Sequence, residues 1–258
     1  MKTIIQSSQN KIIKNVLSLK EKKYRDECNC FIVEGLKFVD EIPNDWNIHS
    51  FIVSEQFANS KALNKYLEKA KIYVVSDNLF TKLSDTKTPQ GILAICEQKK
   101  YTLSLDRHNH FIVFAEKISD PGNLGTLIRT ADAAGCDAVI ISENSTDVYS
   151  NKTIRATAGS IFHIPIIKGA SVENTVATLK EHNVKLIAAH LKGKIAPYEV
   201  NMNTSIAFLI GNESNGLSEQ CSGNADILVK LPMIGKAESL NASVACGILL
   251  YEVVRQRL

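Results

Sequence analysis

The sequence predicts an α/β protein whose C-terminal part contains a mainly parallel sheet. Two observations support this fold class. Five short, nearly continuous apolar runs rich in β-branched residues lie in the second half of the chain, as is typical of parallel strands covered on both faces. Helical patterns lie between or after these runs, which is the alternation of an α/β layer structure. The first hundred residues alternate in a similar way and predict a smaller N-terminal α/β domain.

The N-terminal domain is predicted over residues 1–98. Residues 10–27 carry apolar side chains at helical spacing, and two further helical patterns cover residues 62–69 and 78–83. Short apolar runs predict four strands, at residues 31–33, 51–53, 72–75 and 91–95. Residues 99–109 are polar and lack a sustained apolar period, so they are predicted to be a linker.

The C-terminal domain is predicted over residues 110–258. Its strands are predicted at residues 111–115, 138–141, 185–189, 206–210 and 227–231. Its helices are predicted at residues 124–134, 172–182 and 239–256. Three loops that follow strands are rich in glycine, amides and hydroxyls. Because ligands bind beyond the carboxyl ends of strands in open parallel sheets, these loops are the expected functional site.

Composition excludes several classes of protein. With 258 residues, 45% of them hydrophobic and 22% charged, the chain has the composition of a globular protein. No apolar run approaches the roughly 18 residues of a membrane span, and the first ten residues turn polar too soon for a secretory signal. We therefore expect a cytoplasmic location and no membrane partner. The six cysteines are mostly isolated, so they are interpreted as reduced thiols, and no metal site is predicted.

Positive charge is concentrated near the N-terminus, although the net charge is only +3. Against the single acidic residue Glu21, the first 25 residues contain Lys2, Lys11, Lys14, Lys20, Lys22, Lys23 and Arg25. Such a segment can neutralise phosphates and release counterions, which provides affinity for nucleic acid. A solvated helix face explains the same charges, and composition does not separate the two interpretations.

Each of the three loops carries a distinct motif. The first has Asn123, Gly125 and Arg129 but no G-x-G-x-x-G pattern, which argues against a nucleotide-dependent oxidoreductase. The second has Walker-like glycine spacing after a strand, but Leu217 stands where a phosphate-binding lysine is required, which argues against a nucleotide triphosphatase. The third leads into the final apolar helix, for which Ser239 is a plausible N-cap.

Together the three loops resemble the TrmH, or SpoU, branch of the SPOUT RNA methyltransferases. The resemblance rests on N-x-G-x-x-x-R, then an apolar strand ending in G-N-E, then P-M-x-G-x-x-x-S-L-N, in this order within residues 110–258. The N-terminal half resembles the accessory RNA-binding domain of the same family at residues 31–35, 83–85 and 88–91. Two positions depart from the family pattern: Ser214 replaces a common glycine, and Asn151 replaces a common proline.

The resemblance implies a C-terminal trefoil knot, S-adenosylmethionine held in a bent form by the knotted loops, and a homodimer with a shared active site. It implies 2′-O-methylation of a ribose in RNA. Ribosomal RNA is favoured over transfer RNA because the accessory domain is the longer type. Methylation of a base remains open, as does a non-catalytic RNA-binding protein that retains the fold.

The resemblance also assigns roles to residues. Arg129 would bind the phosphate beside the target ribose and stabilise charge on the 2′-oxygen, while phosphate or water accepts the proton. The remaining assigned catalytic residues would orient Arg129, the ribose and the loops, Glu213 by pairing with Arg129. They are Asn123, Glu213, Ser239 and Asn241.

Cofactor contact through backbone or apolar atoms is implied for Gly211, Met233, Ile234, Gly235 and Leu240. Three further residues either flank the adenine or belong to the core: Leu209, Ile210 and Leu231. Lys152 and Arg155 are either surface charges or RNA contacts. The apolar stripe of Val244, Ile248 and Tyr251, at helical spacing, is interpreted as core or dimer interface.

Overall fold

A computed structural model of the protein describes residues 4–106 and 108–258, so Lys2 lies outside the described residues. The chain divides into two compact units. The first comprises Met1–Lys99 and Tyr149–Arg155, and the second comprises Lys100–Val148 and Ala156–Leu258. Each unit contains one sheet, and the sheet of the second unit is entirely parallel. The predicted α/β class is therefore confirmed. In the described part of the chain, no helix has the length and apolar character needed to span a bilayer.

The first unit contains a five-stranded sheet. Its strands are β1 (Ile4–Ile5), β2 (Cys30–Glu34), β3 (Ile48–Ser54), β4 (Lys71–Val75) and β5 (Ile92–Glu97). Their order is β1-β4-β3-β5-β2, with β5 antiparallel to both of its neighbours. The four predicted strands are present. The two-residue strand β1 was not predicted because two apolar residues provide no period.

Short helices surround this sheet. They are α1 (Lys11–Ser18), α2 (Lys22–Cys28), α3 (Leu36–Asp40), α4 (Glu55–Ala58) and α5 (Asp77–Leu83), with a 3₁₀ helix at Lys61–Tyr66. The prediction of one helix over residues 10–27 is wrong, because α1 and α2 are separate. The buried Arg25 donates from Nη1 to the carbonyl of Leu19 at 2.7 Å, which satisfies a carbonyl that the interruption leaves free.

The second unit contains a six-stranded sheet. Its strands are β6 (Phe111–Ala115), β7 (Ala138–Ser142), β8 (Ile166–Ala170), β9 (Lys185–Ala189), β10 (Ile206–Ile210) and β11 (Ile227–Val229). Their order is β11-β9-β10-β6-β7-β8. All five predicted strands are present, and the edge strand β8 is an addition.

The helices of the second unit are α6 (Pro121–Ala133), α7 (Asn151–Thr157, whose first five residues group with the first unit), α8 (Val172–Glu181), α9 (Glu219–Ser222) and α10 (Ala242–Arg257). Two 3₁₀ helices lie at Ser160–Phe162 and Pro197–Glu199. Helix α8 packs on the core beside β9, and α10 packs against α6 and β10. Leu103 and Leu105, within the predicted linker, also pack against this core.

All six cysteines are free thiols. Cys28 is exposed and the other five are buried. Burial raises the pKa of the Cys30, Cys221 and Cys246 thiols to about 12 in each case.

Candidate active site

A cavity of about 550 Å³ lies beyond the carboxyl ends of β9, β10 and β11 in the second unit. This volume lies within the usual range for small-molecule sites. The sequence-predicted residues that line it are Ile210, Gly211, Glu213, Leu231, Met233, Ser239 and Leu240. Three predicted cofactor residues are not among the lining residues: Leu209 is fully buried in the core, Ile234 is 99% exposed, and Gly235 is exposed.

The loop after β10 is a tight turn that requires glycine at position 211. Asn212 and Gly216 exchange two backbone hydrogen bonds, of 3.1 and 2.9 Å. A Cβ atom on Gly211 would lie 2.3 Å from the carbonyl carbon of Gly216, so no larger residue fits without movement of the backbone. The Oδ1 of Asn212 accepts from the backbone N–H of Ser214 at 2.9 Å. Ser214 does not have a positive φ, so serine is accommodated where the family commonly has glycine.

A polar network connects three distant segments of the chain. Glu213 accepts hydrogen bonds from Nδ2 of Asn123 at 2.8 Å and from Oγ of Ser119 at 3.0 Å. Nδ2 of Asn241 donates to Oδ1 of Asn123 at 2.9 Å. Partial burial raises the pKa of Glu213, but the hydrogen bonds outweigh this effect and the net pKa lies below its usual range. Glu213 is therefore an ionised acceptor that holds Asn123 in a fixed orientation.

Two helix starts supply the asparagines of this network. The side chain of Asp120 caps α6 by accepting from the N–H of Asn123 at 2.9 Å, and Pro121 occupies the first helical turn. Asn241 caps α10 by accepting from the N–H of Ser243 at 2.9 Å. The prediction of Ser239 as the N-cap is wrong. Asparagine and serine are equally good N-caps, and α10 begins directly after Asn241, whose side chain also donates a hydrogen bond to Asn123.

Arg129 does not join this network. It is exposed on α6, and no described residue forms a hydrogen bond or ion pair with it. The predicted pairing of Arg129 with Glu213 is therefore absent. At 3.6 residues per turn, Asn123 and Arg129 project about 120° apart around α6, so they face different sides of the helix.

Two lysine side chains that were not predicted from the sequence line the cavity. Lys192 and Lys230 line it, together with Glu238, whereas only apolar side chains and backbone atoms were expected. The N–H of Lys192 donates to Nδ1 of His190 at 3.1 Å, which shapes the loop after β9. This loop also follows a parallel strand, but it lacks the run of glycines and amides that identified the other three.

The cavity lining fits S-adenosylmethionine, the cofactor that the sequence resemblance implies. Leu231, Met233 and Leu240 offer apolar surface suited to an adenine ring. The carboxylates of Glu213 and Glu238 complement a sulfonium cation, and Lys192 complements an α-carboxylate.

In the first unit, residues 31–35 and residues 83–91, which resemble an RNA-binding domain, contact each other. The carboxylate of Glu34 accepts from the N–H of Asp85 and from Oγ1 of Thr86, both at 3.0 Å, and also from the hydroxyl of Ser84. Oε1 of Gln90 accepts from the N–H of Leu36 at 2.7 Å. These bonds fix a loop on which Lys87 and Thr88 are exposed.

The N-terminal basic segment contributes fewer free charges than its composition indicated. Arg25 is buried, and Lys20 pairs with Asp85 at 2.7 Å. Lys23 lies 3.9 Å from Glu27. Part of this segment therefore has a structural role, while Lys11, Lys14 and Lys22 remain exposed on α1 and α2.

The first five residues of α7 also belong to the first unit. Nδ2 of Asn151 donates to the carboxylate of Asp85, so asparagine makes a contact that the family's common proline could not. Burial raises the pKa of Asp85, but hydrogen bonds from Lys20 and Asn151 and the charges of Lys20 and the half-buried Arg155 outweigh this effect, so the net pKa lies below its usual range. Lys152 is exposed.

Comparison with known proteins gives matches over both units. Residues 110–251 match the SpoU rRNA Methylase family, and residues 10–94 match the MRM3-like substrate binding domain. The chain is 34% identical over 251 residues to the 23S rRNA (guanosine(2553)-2'-O)-methyltransferase RlmP of Bacillus subtilis (strain 168), covering 96% of this chain and 98% of that protein.

Solved structures resemble the chain over nearly its full length. The AdoMet-bound rRNA methyltransferase from Sinorhizobium meliloti has a TM-score of 0.89 and 33% identity, covering 99% of this chain and 98% of that one. The SpoU methyltransferase AviRb from Streptomyces viridochromogenes, in complex with the cofactor AdoMet, has a TM-score of 0.90 and 26% identity, covering 96% and 98%.

Proposed function

Because this chain belongs to the SpoU rRNA methylase family, we propose that it is an S-adenosylmethionine-dependent methyltransferase that modifies a ribose 2′-hydroxyl of ribosomal RNA. The observation that carries this proposal is the network of Asn123, Glu213 and Asn241 beside the cavity. The relative RlmP, which is similar from end to end, is named for 2′-O-methylation of 23S rRNA. The same substrate class is proposed for this chain.

The residues that would hold the cofactor are those of the cavity, chiefly Ile210, Gly211, Leu231, Met233 and Leu240. When bound, S-adenosylmethionine supplies an electrophilic methyl group. The chain's own contribution is to position the nucleophile, because a ribose hydroxyl reacts poorly unless it is held in line at about 3 Å.

Arg129 is proposed to bind the phosphate next to the acceptor ribose and to stabilise charge that develops on the 2′-oxygen. Arginine is a poor base because its pKa exceeds about 12, so we assign proton acceptance to the RNA phosphate or to water. Asn123 and Asn241 would orient the ribose, and Ser239, exposed at the cavity, would contact the substrate.

The protein is further proposed to be a homodimer. Val244, Ile248 and Tyr251 are about half exposed and lie along one side of α10, an apolar stripe that a second copy would cover. Arg129 lies on α6, which packs against α10. A guanidinium without a partner among the described residues of its own chain is available to the site of the second copy, which supports a shared active site.

The second unit is also proposed to be knotted. Helix α10 packs against α6 and β10, whereas the preceding strand β11 lies at the far edge of the sheet, beyond β9. Gln256 of α10 donates to the carbonyl of Val200, in the connection from β9 to β10, at 2.9 Å. A chain that reaches α10 beneath this connection has the path that a trefoil knot requires.

Mass spectrometry of ribosomal RNA from cells with and without the gene tests the proposed reaction. One ribose-methylated nucleotide should disappear when the gene is deleted and return on complementation. A methylated base at that position would correct the acceptor. Unchanged RNA, together with no transfer from labelled cofactor to any RNA in vitro, would favour the non-catalytic RNA-binding alternative.

Arg129→Lys tests the role of the guanidinium. It keeps the charge but loses the bidentate fork, so turnover should fall at least about tenfold while cofactor affinity is unchanged. Full turnover by this variant would contradict the proposed role. Val244→Asp tests the dimer: light scattering should show a monomer, and a dimer of unchanged strength would refute the interface.

A further inference from the structure

The connection that follows β9, residues 190–199, carries a group of exposed apolar side chains. We name it the rim loop, because its first residues, His190, Leu191 and Lys192, line the cavity. Leu191 and Tyr198 are each 63% exposed, and Ile195 is 40% exposed. Two exposed lysines, Lys192 and Lys194, alternate with them in the sequence. None of these residues has a role in the network of Asn123, Glu213 and Asn241.

The rim loop is held in place by backbone contacts with β11. The N–H of His190 donates to the carbonyl of Val229, and the N–H of Lys230 donates to the carbonyl of Ile195, both at 2.9 Å. A Cβ atom on Gly193 would lie 2.6 Å from the carbonyl carbon of Val229. The buried Ala196 and Pro197 anchor the end of the loop. Its exposed side chains are therefore presented from a fixed backbone.

The charge of the rim loop favours a polyanion. No described residue forms an ion pair with Lys192, Lys194 or Lys230. Glu199 is the one carboxylate within residues 190–199, and its Oε1 accepts from the N–H of Ala196 at 3.3 Å. Lys192 and Lys230 also line the cavity, so the positive surface continues from the rim loop into the cofactor site.

The apolar stripe of α10 and the rim loop differ in charge. Helix α10 has no charged residue between Ala242 and Tyr251, as suits a face covered by a second copy of the chain. The rim loop combines an aromatic ring with lysines. A positively charged surface with an exposed aromatic side chain is the combination that binds single-stranded nucleic acid, because bases stack on the ring while cations contact phosphates.

We propose that the rim loop is a platform for the RNA strand that flanks the acceptor nucleotide, with a base stacked on Tyr198 and a phosphate contacted by Lys194. This inference rests on the proposed function, since it takes RNA as the substrate. It adds a second contact surface, at the side of the cavity formed by the β9 connection.

Tyr198→Ala tests the stacking contact, with Tyr198→Phe as the matched control that retains an aromatic ring. The probe is a fluorescein-labelled fragment of in vitro transcribed 23S rRNA, and its dissociation constant is measured by fluorescence anisotropy. Tyr198→Ala should weaken RNA binding about tenfold, and Tyr198→Phe should weaken it less than about threefold. Calorimetry should show the same cofactor affinity for both variants and the wild type.

Lys194→Gln tests the phosphate contact. The slope of the logarithm of affinity against the logarithm of salt concentration should become shallower by about 0.7, the value expected for one contact with a single strand. Lys180→Gln on α8, outside the cavity, is the control and should leave the slope unchanged.

Equal RNA affinity of Tyr198→Ala and the wild type would overturn the platform, as would equal losses in Tyr198→Ala and Tyr198→Phe. A change of oligomeric state in Tyr198→Ala would assign the rim loop to protein contact instead. Wild-type methyl transfer is measured separately. If methyl transfer were absent, the proposed function would be refuted. The RNA affinities of the variants would still test whether the rim loop binds RNA.

Discussion

Asn241 should contribute separately to stability and to activity, because its side chain uses different atoms for the two tasks. Oδ1 accepts from the backbone N–H groups of Ser243 and Val244, and Nδ2 donates to Asn123. Replacement by alanine removes both, whereas replacement by aspartate keeps an acceptor for the helix cap and loses the donor.

The expected magnitudes follow from these bonds. Loss of an N-cap costs about 1 kcal/mol, and loss of one neutral hydrogen bond costs about another 1 kcal/mol. Asn241→Ala should therefore lose about 2 kcal/mol, which for a unit of this size lowers the melting temperature by about 4–8 °C. Asn241→Asp should lose about half as much. Both variants should lose most methyl transfer, because Asn123 is no longer held from α10.

Differential scanning calorimetry and transfer of labelled methyl groups to rRNA measure the two effects. If Asn241→Asp were as unstable as Asn241→Ala, the capping role would be refuted. If Asn241→Asp retained wild-type turnover, the network would not position the reacting groups.

Further predictions concern the cavity loops. Gly211→Ala should abolish cofactor binding measured by calorimetry, whereas Gly216→Ala, whose Cβ meets open space at φ +68°, should cost only about 1 kcal/mol in a thermal melt. Because the pKa of Glu213 is lowered in the folded protein, its stabilising effect is present above the ordinary carboxylate pKa and is lost as pH falls through the lowered pKa. The difference in melting temperature between wild type and Glu213→Gln should therefore shrink on acidification; a constant difference from pH 7 to pH 3 would contradict this. Gly193→Ala should lower RNA affinity more than cofactor affinity, since it displaces the rim loop from β11; the reverse order would count against that placement.

The parallel strands of the second unit were predictable because each is buried on both faces. Strand β8 was missed because Lys168 and Gly169 are exposed at the sheet edge and interrupt the apolar run. The break between α1 and α2 was missed because Leu19 continues the helical spacing. The break depends on Arg25, and the burial of this residue cannot be predicted from a local sequence pattern.

The active site was predictable only in part. The motif residues Asn123, Glu213 and Asn241 were selected by resemblance, but their hydrogen bonds join positions about 90 to 118 residues apart along the chain. Local propensity cannot specify such contacts, so the pairing of Glu213 was assigned to Arg129 instead of Asn123. Lys192 and Lys230 were missed because they reach the cavity through the pairing of β9 with β11.

The distribution of thiols allows the protein to be labelled at a single position, because only Cys28 is exposed. A thiolate is the reactive form, and burial disfavours it at Cys30, Cys96, Cys136, Cys221 and Cys246. A maleimide dye at neutral pH should therefore attach at Cys28 alone, close to the exposed lysines of α2. One fluorophore, introduced without any substitution, would then report directly whether the N-terminal unit meets the transcript, independently of any event in the cofactor cavity.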